Sequence, residues 1–537
     1  MSLLQVRDAI EVKNFLGRMQ IISGSFALYE GAAGFEDFGV NGFPIKKSVI
    51  EAWRYIMVDS DIFEVETPQI TPYEVLKASG HADRFFDYVI YDEDKKCHRA
   101  DHLVKQHVTD MGVLVNVDDM GAEALEAYIK RHKLVPLADD AKITTKSLSL
   151  KVEEDFLRPE LAQGIFVNMK QYLDYFAREL PFGIAQTGKS FRREVNPQPF
   201  IRLREFSQAE IEFFFCPSET NHKLYDSVKS VTIPILTAKN QEMGCDVTCI
   251  EIGVGVDSGI ICNEIMGYFL GKIFELALYI GLDPDAIRFR QHLPNEMAHY
   301  AIQCWDLECL VFGSWLECVG CAHRGAHDLT AHNIKDAFLM KGTYTTKIEK
   351  SFNVKEMNRV GLNHVEIFKA EKELKKSVEE LVEEFQIPES CVRLKEVKIW
   401  NTYIPNVIEP SVGIDRLCYA MLVHNLFVRA ESPSRMVLRL RRCVARYDYA
   451  VFPLSNDSEL IGIVMEIISA LKNKRLKCFT DLSSVNIGKR YIRADELGVA
   501  HSITVDFLSL KDGKVTVRDR DSMEQVRIAI GAVKEYT

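Results

Sequence analysis

The sequence predicts an α+β protein: a large domain with antiparallel strand pairing, followed by a small α/β domain from about residue 446. Three observations predict it. The chain has 537 residues, enough for two or more domains with sizeable cores. Residues 188–214, GKSFRREVNPQPFIRLREFSQAEIEFF, set two extended runs around a short Asn/Pro-containing loop, the pattern of an antiparallel hairpin. Residues 446–537 alternate strand-like and helix-like runs, as a small mixed sheet with helices does.

The elements follow from local patterning. PIKKSVIEAWRYIMV (44–58) predicts an amphipathic helix with Val49, Ile50, Trp53 and Met57 on one side. FEVETPQIT (63–71) predicts a strand interrupted by Pro68, hence an edge or an end. LRPELAQGIF (157–166) predicts a strand carrying Arg158 and Glu160 into a helix, and IPNVIEPSVGIDRLCYAMLVHNL (404–426) a strand running through Gly413 into an apolar helix. KAEKELKKSVEELVEEF (369–385) predicts one surface helix, with Leu374, Val378, Leu381, Val382 and Phe385 at helical spacing and Glu371–Lys375 as an i,i+4 pair. In the last part, YDYAVFPLS, CFTDL, HSITVDFL and GKVTVRD predict strands. ELIGIVMEIISALKNK predicts a helix, RADELGVA a turn and helix, and MEQVRIAIGAVKEY a closing helix.

Composition excludes several classes. Hydrophobic residues make up 47% and charged residues 27%, as in a globular protein. No apolar run approaches the roughly 20 residues of a membrane helix, so no membrane partner is expected. The mixed charges of MSLLQVRDAIEVKNF fit neither a signal peptide nor an Arg-rich transit peptide, and a cytoplasmic location is expected. The 13 scattered cysteines read as free thiols in a reducing compartment. A net charge of −11 gives no general support for nucleic-acid binding, so any such surface must be local. Residues 446–537 carry 14 Lys/Arg against 13 Asp/Glu, and RMVLRLRRCVAR lies just ahead with Arg435, Arg439, Arg441, Arg442 and Arg446. That stretch is either a solvated basic linker or a phosphate-facing surface.

The hairpin carries the densest chemistry. Period-two alternation places Arg192 and Glu194 on one face of its first strand, and Arg202, Arg204, Phe206, Gln208 and Glu210 on one face of its second. Unpaired charges on a sheet face are costly to bury without a ligand. Guanidinium forks match phosphate oxygens, and an aromatic ring can stack on a purine. The plainer alternative is a solvated ion-pair ladder. Glu409 and Ser411 share a strand face, and Arg416 sits near the following helix start, where an anion is favoured.

Together these segments resemble the three signature motifs of class II aminoacyl-tRNA synthetases. FEVETP with Pro68 resembles motif 1; FRRE, a loop and Arg202-x-x-x-Phe206-x-x-x-Glu210 resemble motif 2; GIDR, ending at Arg416, resembles motif 3. ASGHADRF, HRADHL, LRPELAQGIF, RFRQHLPNEMAHYA, VIEPSVG, IGKRYIRADELGV and VTVRDRDSMEQV narrow the resemblance to the dimeric glycyl-tRNA synthetases of eukaryotes and archaea. It runs from about residue 13 to the C-terminus and is weakest over about 95–150, 215–280 and 333–398, where that family places insertions.

The resemblance implies a catalytic domain over 1–445 on an antiparallel sheet and an anticodon-binding domain over 446–537, with residues 435–446 as the linker. It implies a homodimer, formed through motif 1, that uses glycine, ATP with Mg²⁺ and tRNA(Gly). For ATP it implies Arg192, Arg193, Glu194, Arg202, Leu203, Phe206, Glu317, Cys318 and Arg416. Arg192 and Arg416 act in catalysis and Glu317 meets the metal. For glycine it implies Glu160, Glu210, Glu409, Pro410 and Ser411. The chain departs from the family pattern at Leu161 for Thr, Arg193 for Asn and His323 for Asp, and alternation points Arg193 away from the face of Arg192.

Zinc is not expected at Cys318-x-x-Cys321, because a second CxxC pair is absent. Gly253-x-Gly255-x-x-x-Gly259 has the wrong spacing for a dinucleotide loop. His81 is expected to cap or order a substrate loop rather than react. The alternative of another class is a non-catalytic synthetase-like protein that binds nucleic acid, such as a polymerase accessory subunit; such proteins usually lose the motif 2 and 3 arginines kept here. Synthetases for threonine, proline or histidine lack the pairing of RPE-LAQG with VIEPS.

Overall fold

In the computed structural model residues 3–111, 117, 120–138, 140–297, 301–374 and 376–535 are described. The chain divides into two compact units, Met1–His332 with Asn406–Thr537, and Asn333–Pro405.

The first unit is organised by a nine-stranded sheet. Its strands are β1 (Ile62–Glu64), β2 (Phe182–Phe191), β3 (Glu205–Phe215), β4 (Thr232–Leu236), β5 (Thr248–Glu251), β6 (Ile287–Gln291), β7 (Gln303–Val311), β8 (Ser314–Gly325) and β9 (Asn406–Gly413). The order is β5-β4-β6-β7-β8-β9-β3-β2-β1. Pairing is antiparallel from β6 through to β2, while β1 and β4 join in parallel. As the proline predicts, β1 is an edge strand that stops before Pro68, and Ile70–Thr71 resumes in a separate small sheet.

Helices α1 (Gly42–Met57), α2 (Glu264–Ile280) and α3 (Ile414–His424) share one hydrophobic core with the sheet. Alternation along β3 decides what faces that core. Ala209, Ile211, Phe213 and Phe215 enter it, which leaves Gln208, Glu210 and Glu212 on the opposite face. On β9 the core takes Ile408 and Val412 and leaves Glu409 and Ser411 opposite. Residues 264–280, within the second expected insertion, form one of the most buried helices of this core.

The rest of the first unit carries a second sheet. It contains β10 (Tyr449–Pro453), α4 (Ser458–Asn473), β11 (Cys478–Phe479), α5 (Ile487–Glu496), β12 (His501–Val505), β13 (Lys514–Asp519) and β14 (Gln525–Ala529). The order is β11-β10-β12-β13-β14, parallel among the first three and antiparallel beyond. The mixed sheet is as expected, but the expected closing helix is not. Residues 525–529 pair with β13, Arg527 is fixed by Asp506 and Asp512, and only a 3₁₀ helix follows at Ile530–Glu535. Tyr536, in the expected helix, lies outside the described residues.

The basic stretch 435–446 is largely occupied within the fold. Arg439 bonds Asp521 at 3.1 Å, Arg442 bonds Asp448 at 3.0 Å, and Arg446 bonds Asn41.

The second unit pairs Met340–Phe352 with Val392–Tyr403 and closes a small core of Phe352, Met357, Ile367, Leu381, Ile387 and Cys391. The single helix expected over 369–385 is two, His364–Leu374 and Val378–Glu384. Ser377 and Glu380 form a capping box that starts the second helix, so the periodicity bridges a break. Lys375, of the expected Glu371 pair, lies outside the described residues. Among the described residues no helix is long and apolar enough to cross a membrane.

Candidate active site

The β2–β3 pair is the predicted hairpin, but its loop is longer than predicted. Arg192, Arg193, Glu194, Arg202, Leu203 and Arg204 lie between the strands rather than on them. Strand alternation therefore does not govern these residues, and loop hydrogen bonds aim them instead. Arg192 N–H donates to Arg204 O at 2.9 Å, and residues 198 and 202 exchange backbone bonds at 3.0 and 2.9 Å. Arg192, Glu194, Arg202 and Leu203 line a cavity of about 380 Å³ together with Phe206, Gln208, Glu317, Cys318, Ser411 and Arg416. Arg193 and Arg204 do not line it. Arg193 is exposed, its N–H on Leu148 O at 2.6 Å, and Arg204 Nε donates to Glu194 O at 3.2 Å.

Arg99 lines the cavity as well, and the other three lining arginines are held by different partners. Arg192 Nε donates to Pro159 O at 3.2 Å, and its guanidinium lies 5.4 Å from the Phe206 ring centroid and 5.6 Å from that of Phe85. Arg202 lies 3.9 Å from Glu194 and 3.1 Å from His102. Burial, with Arg99 beside it, pushes the His102 imidazole down to about 4, so it stays neutral and does not repel Arg202. Arg416 Nε donates to Ile201 O at 2.7 Å and Nη1 to Glu317 O at 3.0 Å. Beneath it Asp415 accepts from Ser207 N–H at 2.8 Å and pairs with buried Lys46 at 2.5 Å, tying α3 to β3 and α1. These cations, one stacking ring and a donor-rich wall can accept a nucleotide with its phosphates.

Beyond Ser411 the face changes character. Glu210 accepts from Leu161 N–H at 2.8 Å and from the Ser411 hydroxyl at 2.9 Å. Register sets these groups side by side, with Ser411 opposite Glu210 on one neighbour and Gly320 on the other. Glu409 accepts from Arg324 Nη1 at 2.6 Å, while Arg324 grips Asp328 through two bonds of 2.8 and 3.0 Å. Glu160 accepts from Gln163 Nε2 at 2.9 Å and faces His81 Nε2 at 3.5 Å; His81 Nδ1 in turn meets Ser79 Oγ at 2.8 Å. Arg158 braces the segment from below by donating to Lys189 O and Thr67 O, in space that a side chain at Gly188 would fill. Arg158 and Glu160 follow the strand Asp155–Leu157 rather than lying on it, as the sequence pattern had placed them. Alternation turns the Pro410 ring away from Glu409 and Ser411.

The charges here are strongly perturbed. Burial, then Glu409 and Glu160, push the Glu210 carboxyl up to about 8. Burial also raises Glu409, against Arg324. Glu160 goes the other way: burial opposes ionisation, yet His81, Arg324 and Gln163 together hold its carboxyl far below the usual range. The His81 imidazole, which burial alone would lower, is raised by Glu160. Several buried carboxyls with few cations among them can accept one small ammonium group.

Sequence reasoning missed Gln163, Glu212, Arg324 and Asp328. Glu212 carried a signal, being two residues from Glu210 on the same strand face. Asp328 is four residues from Arg324 across a strand-to-helix junction that fixes the pair.

The sheet, with its nucleotide-sized cavity beside a carboxylate pocket, is the fold of the class II aminoacyl-tRNA synthetases. Among solved structures the chain is similar to the prolyl-tRNA synthetase of Giardia lamblia in complex with prolyl-adenylate, with a TM-score of 0.56 and 14% identity, covering 99% of this chain and 77% of that one. It is similar also to the prolyl-tRNA synthetase of Cryptosporidium parvum complexed with L-proline and AMP, with a TM-score of 0.51 and 12% identity, covering 97% and 73%. Residues 448–537 match the family described as "Anticodon binding domain". Curated relatives named glycine–tRNA ligase include those of Bombyx mori, 35% identical over 98% of this chain and 79% of that protein, and Methanocaldococcus jannaschii, 36% identical over 98% of each. Glycine–tRNA ligase 2 of Saccharomyces cerevisiae is 34% identical over 98% of this chain and 94% of that protein. The chain belongs to the glycine–tRNA ligase family.

Proposed function

We propose that the chain activates glycine with ATP and transfers it to the 3′ end of tRNA(Gly), releasing pyrophosphate and then AMP. The observation that carries this reading is the continuity of the two halves of the site: an arginine-lined cavity meets, at Ser411, a buried group of carboxyls around Glu160, Glu210 and Glu409. Glycine offers only an ammonium and a carboxylate to grip. Glu160, Glu210, Glu409 and Ser411 take the ammonium, and their closeness leaves no room for a side chain on the substrate. Arg192 bridges the glycine carboxylate and the α-phosphate. A carboxylate oxygen attacks that phosphorus, and the bond to the pyrophosphate oxygen breaks. The nucleophile is already ionised, so no general base is needed and the protein supplies position and field. Phe206 stacks on adenine and Glu194 takes its amino group. Arg202 and Arg416 hold the outer phosphates. In the second step a terminal ribose hydroxyl of the tRNA attacks the adenylate carbonyl, and AMP leaves.

Mg²⁺ fits this site. The Glu317 carboxylate stands exposed at the cavity, 3.5 Å from Arg416, an oxygen donor of the kind a hard cation shares with phosphates. The bound ion would neutralise phosphate charge. Residues 1–445 then form the catalytic part and 446–537 the anticodon-binding part. Two copies associate through the FEVETP segment and the neighbouring helix, in the cytoplasm.

The test is ATP–pyrophosphate exchange in the presence of Mg²⁺. Exchange should depend on glycine; its absence, or equal exchange with alanine or serine, overturns the reading. Arg192→Ala should lower glycine-dependent exchange by about 10²–10³-fold, the usual cost of losing one group that stabilises developing charge. Near wild-type exchange in a folded variant would remove Arg192 from the reaction.

A further inference from the structure

Each carboxyl group around Glu212 has a donor. Glu160 accepts from Gln163, Glu210 from Leu161 and Ser411, Glu409 from Arg324, and Asp328 from Arg324 and Gln163. Glu212 is fully buried, and among the described residues neither of its carboxyl oxygens has a hydrogen-bond partner. It is not remote from the others, because carboxyl oxygens of Glu210, Glu212 and Glu409 lie within 4.8 Å of one another. The charged groups facing it are Glu409 on β9, Arg324 on β8, Asp328 on the helix after β8 and Glu210 on its own strand. The only cation among them, Arg324, is already engaged with Asp328 and Glu409. A buried acid in such surroundings keeps its proton rather than ionise.

We propose that Glu212 is a positioning residue for glycine, held as the neutral carboxylic acid beneath Glu210 and Glu409, where it supplies a proton donor that keeps those carboxyls in place around the ammonium. The proposal rests on reading this pocket as the glycine site. Burial and the nearness of Glu409 raise the Glu212 carboxyl well above its usual range, in the same sense. An ionised Glu212 would add an anion without a cation to match it. Glu409 and Glu210 would then be driven apart, and a single ammonium could not bridge them. A neutral acid fills the same volume, can donate to either neighbour and adds no repulsion.

Two variants and one spectrum test this in the full chain. Glu212→Ala should raise KM for glycine about tenfold or more, because the cavity it leaves beneath Glu210 and Glu409 lets those carboxyls shift from the ammonium, with KM for ATP little changed. Glu212→Gln keeps the shape and a donor without the charge, and should restore KM for glycine to within about threefold of wild type. Glu210 also holds a proton below about 8, so the spectra are compared above that pH, where the infrared carbonyl band of a protonated carboxylic acid should be weaker in Glu212→Gln than in the wild type. A Gln variant as impaired for glycine as the Ala variant, or an unchanged carboxylic-acid band, overturns the proposal. If Glu212→Ala fails to fold, the Gln variant and the spectrum still decide it. A wild type without glycine-dependent exchange would overturn the site reading itself, whereas wild-type exchange with a failed Gln rescue overturns only the role of Glu212.

Discussion

Burial and two neighbouring carboxylates set the charge of Glu210 before any substrate arrives. Its carboxyl titrates at about 8, against 4.5 for a free one. Between those values the folded chain holds a proton that the unfolded chain has released. The stability the group contributes is therefore complete below about 4.5 and is lost as pH rises through about 8. On the proposed glycine site, an ammonium beside Glu210 would favour the ionised form, and glycine binding would expel the proton. The melting temperature of the ligand-free protein should fall more steeply between about pH 6.5 and 8 in the wild type than in Glu210→Gln, and saturating glycine should narrow the difference. Equal slopes in the two proteins would show that Glu210 does not hold that proton. The residues around it were legible to different degrees. Glu210, Glu409 and Ser411 lie on strands, where period two fixes their direction. Arg192 and Arg202 lie in a loop whose backbone bonds join residues on its two sides, and no short-range pattern reports such a fold-back.

Among the elements, those with one unambiguous period were read correctly: the hairpin strands up to Phe191 and from Glu205, the helix over 44–58 and the strand-to-helix run at 404–426. The errors came where two periods fit. VRIAIGAV satisfies both helical and alternating spacing, and pairing with β13 settles it as a strand. The stretch 369–385 kept helical spacing across a break, although Ser377 with Glu380 was a visible start signal. The hairpin and helices of 333–405 close a core of their own and contain none of the site residues. Replacing 333–405 by a Gly/Ser linker should leave the circular dichroism of the remainder and glycine-dependent exchange in place. Loss of exchange in a folded deletion variant would mean that this segment contributes to activation.

Across the whole molecule, a buried charge network joins the C-terminal sheet to the small three-stranded sheet that contains Leu426–Arg429, alongside the contacts of the basic stretch 435–446. Arg429, on the strand Leu426–Arg429, bonds Asp495 of α5 at 3.1 Å, and Arg518 of β13 bonds the same carboxylate twice, at 2.8 and 3.0 Å. Arg520 donates to Leu438 O, Leu440 O and Gly498 O, closing the junction. All four residues are nearly inaccessible to water. Asp495→Ala would leave two buried guanidiniums without their carboxylate, a loss of about 3–5 kcal/mol in comparable buried pairs, and the melting temperature should drop by several degrees. The functional consequence should be unequal. On the proposed reading, adenylate formation needs only the cavity and the carboxylate pocket, none of whose residues touch Asp495. On the same reading, charging also needs tRNA held on residues 448–537, which match the family described as "Anticodon binding domain", while its 3′ end reaches the cavity. At a temperature where the variant stays folded, kcat/KM for tRNA should therefore fall by a larger factor than the exchange rate. Equal losses in the two assays would mean that Asp495 supports the fold as a whole and does not set the placement of the C-terminal sheet against the catalytic one.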